Sequence, residues 1–174
     1  MINLSIKIPE LNISELQDRS IDLLHLIKND LKFKSLLESG DYEHLYNYVD
    51  RPGTRGYLTR LLYSLGVDPL LHMNYVPNDF LYFQKKPIRA NIPDNISYLG
   101  LDSFSDSGLV KISLPASLIY IDNYSFFNVP HLKTIEFRGT GYEWRKISKE
   151  PDWISETTIA NVKIINCIDE DVKL

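Results

Sequence analysis

The chain has a single cysteine, Cys167, among 174 residues, which excludes an internal disulfide and points to a reducing compartment or to indifference to redox conditions. It has no surplus of positive charge either, with 19 basic residues against 23 acidic ones and a formal net charge of −4. Holding a phosphate backbone takes clustered cations, so nucleic acid is not an expected partner. Long apolar runs are missing. No window approaches the roughly 20 apolar residues of a membrane span, and Met1 to Pro9 lacks the basic start and unbroken apolar stretch of a secretory leader. Together these absences predict a soluble, cytoplasmic protein with no membrane partner.

Catalytic chemistry is just as thinly represented. The four histidines, His25, His44, His72 and His131, lie on separate predicted elements, and none stands at the two-histidine spacing of a helical metal site. No metal or cofactor is expected. There is no G-x-S-x-G elbow, and Asp18 and Asp22, four apart on a predicted helix, read as an exposed face and not as an acid–base pair. Nothing in the sequence suggests a base for Cys167, which reads as a buried inert thiol and not as a nucleophile. The loop Arg51-Pro52-Gly53-Thr54-Arg55-Gly56 has the composition to cradle an anion but lacks the lysine and hydroxyl ending of a P-loop. Its leading reading is a turn with solvated charges, with a ligand site as the lesser alternative. The chain is therefore expected not to be an enzyme.

What is present is pattern. Ile2, Leu4, Ile6 and Ile8 alternate with polar residues, which predicts a strand ended by Pro9. From Ser14, placed as N-cap, the apolar period becomes helical through Leu16, Ile21, Leu24, Ile27 and Leu31, and Phe33, Leu36 and Leu37 carry the same face on to Gly40. Asp41 caps a short helix bearing Leu45, Tyr46 and Val49. After the arginine–glycine loop, Tyr57 to Leu65 gives another helix, stopped by Gly66, and Asp68-Pro69 starts a last short one. The tyrosines and phenylalanines from Tyr42 to Phe83 crowd this half and are expected chiefly to fill its junction with the second half, with a docking role as the alternative.

The second half repeats itself. Ile92-Pro93-Asp94-Asn95-Ile96-Ser97-Tyr98-Leu99 returns as Leu114-Pro115-Ala116-Ser117-Leu118-Ile119-Tyr120-Ile121, the prolines standing 22 positions apart. A fixed period of this size marks a stacked solenoid. Aligned units place Phe104 under Phe126, Leu109 under Leu132, Ile112 under Ile135 and Leu114 under Phe137, as parallel strands of a short sheet. A fainter strand, Ile88 to Ile92, aligns with Val110 to Leu114. Alternation then sends one column of side chains outward: Arg89, Asn91, Lys111, Ser113, Thr134, Glu136 and Arg138.

Ile92-Pro93, Ile96, Leu99-Gly100, Ser103-Phe104, Leu109 and Ile112, answered by Leu114-Pro115, Leu118, Ile121, Ser125-Phe126, Leu132 and Ile135, resemble the BspA-type leucine-rich repeat. The segment Phe137-Arg138-Gly139-Thr140 with Trp144, Trp153 and a strand ending Cys167-Ile168-Asp169 resembles the terminator of such arrays. The likeness spans about residues 77–169. Ser107 and Val129 depart from the family's cysteine, Asp122 from its glycine, and Glu170 stands where a glycine often follows. The head, through Asp41 to Tyr46, Leu62 to Leu70 and Tyr75-Val76-Pro77, is similar to the lead-in of small phage-encoded proteins of this class.

The resemblance implies an α+β fold in which an N-terminal helical subdomain is followed by a short leucine-rich-repeat solenoid with a small parallel sheet and a C-terminal cap. Residues 1–76 would be the helical head with its N-terminal strand, 77–138 the repeats, and 139–174 the capping segment. Head and Trp144/Trp153 segment would cover the two ends, so that all fold as one body. The expected function is protein binding by the outward column, with the phage likeness implying a host protein as partner and the host cytoplasm as location. A homo-oligomeric assembly component is the second class, and an enzyme or nucleotide binder using Arg51 to Gly56 the third.

Overall fold

The computed structural model of the chain describes residues 6–7, 21–49 and 51–174. The expected strand residues Ile2, Leu4 and Ile8 with the terminating Pro9, the N-cap Ser14, the helix residue Leu16 and the carboxylate Asp18 lie outside them. The head consists of α1 (Ile21–Asn29), α2 (Leu31–Ser39), α3 (Tyr42–Tyr48), α4 (Pro52–Ser64) and a 3₁₀ turn, Pro69–His72. Its local signals work as the sequence suggests in three places. Asp41 accepts the His44 N–H and caps α3, Asp68 accepts the Leu70 N–H and caps the 3₁₀ turn, and Gly40 ends α2 at φ 73°, a conformation glycine adopts without strain.

Two expectations are corrected here. The apolar face predicted to run on to Gly40 belongs to two helices, because Asp30 leaves helical geometry (φ −94°, ψ 110°) and its carboxylate accepts the Phe33 N–H. A short acid that bonds the backbone ahead of it stops one helix and starts the next, and the Tyr48 hydroxyl holds it there at 2.7 Å. The expected loop at Arg51 to Gly56 is instead the N-cap and first turn of α4, with Pro52 at the first helical position, where its missing N–H loses nothing.

Among the described residues the chain builds ten strands in two sheets. The longer sheet contains β1 (Ile6–Lys7), β3 (Ile88–Asn91), β5 (Leu109–Leu114), β7 (Thr134–Phe137), β9 (Ile164–Asn166) and β10 (Asp171–Lys173), in that order. The shorter sheet contains β2 (Tyr75–Val76), β4 (Tyr98–Leu99), β6 (Tyr120–Ile121) and β8 (Ser148–Lys149). Each turn of the solenoid gives one strand to each sheet. Pairing is parallel from β3 to β9 and throughout the shorter sheet, while β1 and β10 close the long sheet antiparallel at its two edges. The expected Ile112↔Ile135 partnership is observed, as are Arg89↔Lys111 and Asn91↔Ser113, but Ile88 pairs with Leu109 and not with Val110, across an irregularity.

Two apolar rows fill the space between the sheets: Ala90, Ile112, Ile135 and Ile165 from one side, and Val76, Leu99 and Ile121 from the other. At the next position of the second row stands Lys149. A chain of ring contacts runs along the axis, from Phe104 to Phe126 (5.2 Å), Trp153 (5.8 Å), Trp144 (6.0 Å) and Phe137 (5.4 Å). Such edge-on and tilted pairs add to the burial of large rings. The turns between the sheets are equivalent down to the backbone. Left-handed residues recur in pairs four apart, Asp79 with Phe83, Asp102 with Asp106, and Tyr124 with Asn128.

The sheets also run past the proline-led units. Between Thr140 and Lys163 the chain replaces two extended connections with α5 (Gly141–Lys146) and α6 (Glu156–Val162), and β8 and β9 add a further turn to both ladders. At the other end the head packs on the first turn. Phe80 meets Tyr46 (5.7 Å) and Tyr63 (6.4 Å), and Gly56 lies where a Cβ would come within 2.3 Å of the Tyr82 carbonyl oxygen.

Candidate binding face

The outward column predicted from alternation forms two rows across the long sheet. Asn91, Ser113, Glu136, Asn166 and Asp171 are register partners in one, and Arg89, Lys111 and Thr134 in the other, which Ile164 and Lys173 continue next to Thr134. All seven predicted residues are exposed or half-buried and lie on this one face. Their charges are largely matched within it. Lys111 and Glu136 pair at 2.5 Å with about two-fifths of each side chain exposed, a setting in which an ion pair contributes little to stability.

Arg138 organises the upper edge. One terminal nitrogen donates to Asn91 Oδ1 (2.7 Å) and Ser113 Oγ (2.9 Å), and the other to the Ile92 carbonyl and Asp94 Oδ1 (2.7 Å). The guanidinium fork thus reaches from the end of β7 across β5 to β3, which a flexible ammonium could not do with the same geometry. Asp94, Asn166 and Asp171 belong to the face and were not in the sequence-derived set. Asp94 lies within the proline-led repeat, whereas the other two follow α6, where the repeat cannot be seen in the sequence.

The remaining candidates fall elsewhere. Arg55, expected to be solvated or to meet a ligand, turns inward: its Nε donates to the Tyr46 and Val49 carbonyls and its Nη1 to Asp79 Oδ2 at 3.0 Å. It fastens head to repeats and is not a solvated charge. Burial lifts the Asp79 carboxyl above the usual carboxylate range, against the pull of Arg55. The four histidines are exposed and apart. Among the described residues, no three His, Cys, Asp or Glu side chains converge as metal ligands would. Cys167 follows β9 directly and is half-buried, and burial raises its thiol pKa, leaving little thiolate at neutral pH. Asp22 lies on α1, with its side chain outside what is described. No helix among the described residues is long and apolar enough to cross a membrane.

Part of the aromatic head fills the junction, in line with its leading expectation. Tyr46, Tyr63 and Phe80 are buried at the junction, with Tyr46 Oη 2.7 Å from Thr59 Oγ1 and Tyr63 donating to Asp68 at 2.7 Å. Tyr82 and Phe83 pack edge-on at 4.7 Å on the outer turn, where Phe83 stays 46% exposed.

Residues 76–167 match the family model described as BspA type leucine rich repeat region (6 copies). No curated protein and no solved structure matches the chain.

Proposed function

The chain belongs to the BspA-type leucine-rich repeat family, whose repeat regions are typically protein-binding modules, and from this we propose that it is a non-enzymatic binding protein that engages its partner with the long sheet. The reading puts Arg89, Asn91, Lys111, Ser113, Thr134, Glu136 and Arg138 at the contact. The observation that carries it is the register: Lys111↔Thr134 and Ser113↔Glu136 hold alternate side chains at fixed spacing, and the Arg138 fork immobilises the upper row. Side chains ordered before the partner arrives lose less entropy on binding. Residues 1–76 and 139–174 serve in this reading as covers for the two ends of the array, and the likeness of the head to phage-encoded proteins makes a host protein the partner class to screen.

The test is affinity capture from a lysate of the cognate host, followed by binding measurements on the purified, identified partner. Lys111→Glu and Thr134→Arg should each weaken that partner by roughly tenfold or more if they sit centrally. Undiminished binding by both variants removes this face from consideration. Sizing the protein alone in solution tests the assembly alternative, for which a self-complementary surface would give a closed oligomer.

A further inference from the structure

We infer that the outer face of the shorter sheet is a second docking surface, built to receive an arginine- or lysine-bearing segment of a protein. Tyr98 and Tyr120 are register partners on β4 and β6, and their rings stack at 4.8 Å and 11°. Each phenol donates to a carboxylate of the following turn, Tyr98 to Asp122 Oδ2 and Tyr120 to Glu150 Oε1, both at 2.5 Å. The hydrogen bond to Glu150 leads the influences that push the Tyr120 hydroxyl up to about 12, so the phenol remains a donor across the physiological range. Asp102 lies nearby. Burial holds its carboxyl above the usual range, and the charges of Asp79, Asp106 and Asp122 add to that.

The two faces differ in how their charges are met. On the long sheet Glu136 has Lys111 and Asp94 has Arg138. On the shorter sheet no lysine or arginine among the described residues pairs with Asp102, Asp122 or Glu150. Neighbouring cations have other partners, Lys85 among them with Asp106 at 3.7 Å. Lys149 Nζ points inward to the Trp144 and Ile147 carbonyls, Arg55 is committed to Asp79, and Lys146, at the margin beside Ile119, lies over the Tyr142 ring at 4.2 Å. What remains is a stacked tyrosine pair, with Tyr120 followed by the small Ser148 on the next rung, bordered by carboxylates that no lysine or arginine among the described residues pairs with. A guanidinium stacks on a tyrosine face and forks to a carboxylate, and charge complementarity of this kind selects its partner and speeds the encounter. The inference stands whether or not the long sheet binds as proposed above.

The probe is a fluorescein-labelled nonapeptide of arginine, followed by fluorescence anisotropy at low salt, with a nonapeptide of glutamate as control. Asp122→Asn with Glu150→Gln should weaken binding by roughly tenfold. Asp94→Asn with Glu136→Gln removes the same two charges from the opposite face and should change it by less than about twofold. In the unaltered protein carrying ¹³C-labelled tyrosine, the Tyr98 and Tyr120 ring resonances should move on titration ahead of those of Tyr42 and Tyr57. Equal weakening by the two double variants would mean attraction by net charge alone and overturns the inference. So does an unaltered protein that does not bind, or one whose Tyr98 and Tyr120 signals stay still while it binds.

Discussion

Replacing Arg55 with methionine isolates what joins the head to the repeats. The Arg55 and Asp79 side chains are only 16% and 11% exposed and meet at 3.0 Å, and the same guanidinium satisfies the Tyr46 and Val49 carbonyls. Methionine keeps the stem and removes every donor. Asp79 is then left with a charge largely out of water. Breaking one side of a buried pair costs about 3–5 kcal/mol, and the residual exposure here brings the expectation to about 2–4 kcal/mol near neutral pH. The pH dependence has a definite sign. A carboxyl whose folded pKa is raised adds stability below its unfolded value and loses it as pH climbs through the folded one. Burial raises Asp79, while the hydrogen bond and charge of Arg55 lower it. Removing Arg55 raises it further, so the penalty should be larger at about pH 7 than at about pH 4, since acidification neutralises the buried carboxyl. Urea unfolding of wild type and Arg55→Met at both pH values measures this, with Asp79→Asn expected to lose less. A neutral-pH loss below about 0.5 kcal/mol, or one that grows on acidification, refutes the reasoning.

Two further outcomes follow from paired positions with contrasting surroundings. Ser125 Oγ donates to the Asp122 and Gly100 carbonyls (2.7 and 3.1 Å), whereas its counterpart Ser103 Oγ is buried without a partner; Ser125→Ala should therefore cost about 1 kcal/mol while Ser103→Ala is neutral or stabilising in the same unfolding assay. Phe126→Ala, taking a fully buried ring from between Phe104 and Trp153, should cost about 3–5 kcal/mol, while Phe127→Ala next to it, 43% exposed, should cost under about 1 kcal/mol by urea titration.

The repeat was legible where one residue type had to recur at one depth. Pro93 and Pro115, Ile112 and Ile135, and Phe104 and Phe126 each answer a demand of the backbone or the core, and the long sheet follows from them. In the last turn β8 was not legible, because α5 and α6 take the place of extended connections and erase the proline-led spelling, whereas the closing strand was expected from the terminator likeness with its end at Cys167 to Asp169, and β9 stops at Asn166. The break at Asp30 was hidden by an apolar stripe that continues through it, since periodicity records which face is buried and not whether the axis is straight. Arg55 was misread because a glycine–arginine run looks solvated until Asp79, 24 residues on, supplies the carboxylate. On the binding face, alternation placed all seven side chains outward. It could not show that Arg138 reaches back to Asn91, a contact made across 47 residues.

Lys149 has a consequence for how long such an array becomes. It occupies the position that Val76, Leu99 and Ile121 fill in earlier turns, and its ammonium lies over the Trp144 ring at 4.6 Å, held by the Trp144 and Ile147 carbonyls. A second molecule seeking to add its own rung beyond β8, the edge of its sheet, would meet a cation where every previous rung offered hydrocarbon. Head-to-tail growth into a filament is thereby penalised at its first step, and one amino group serves as a full stop.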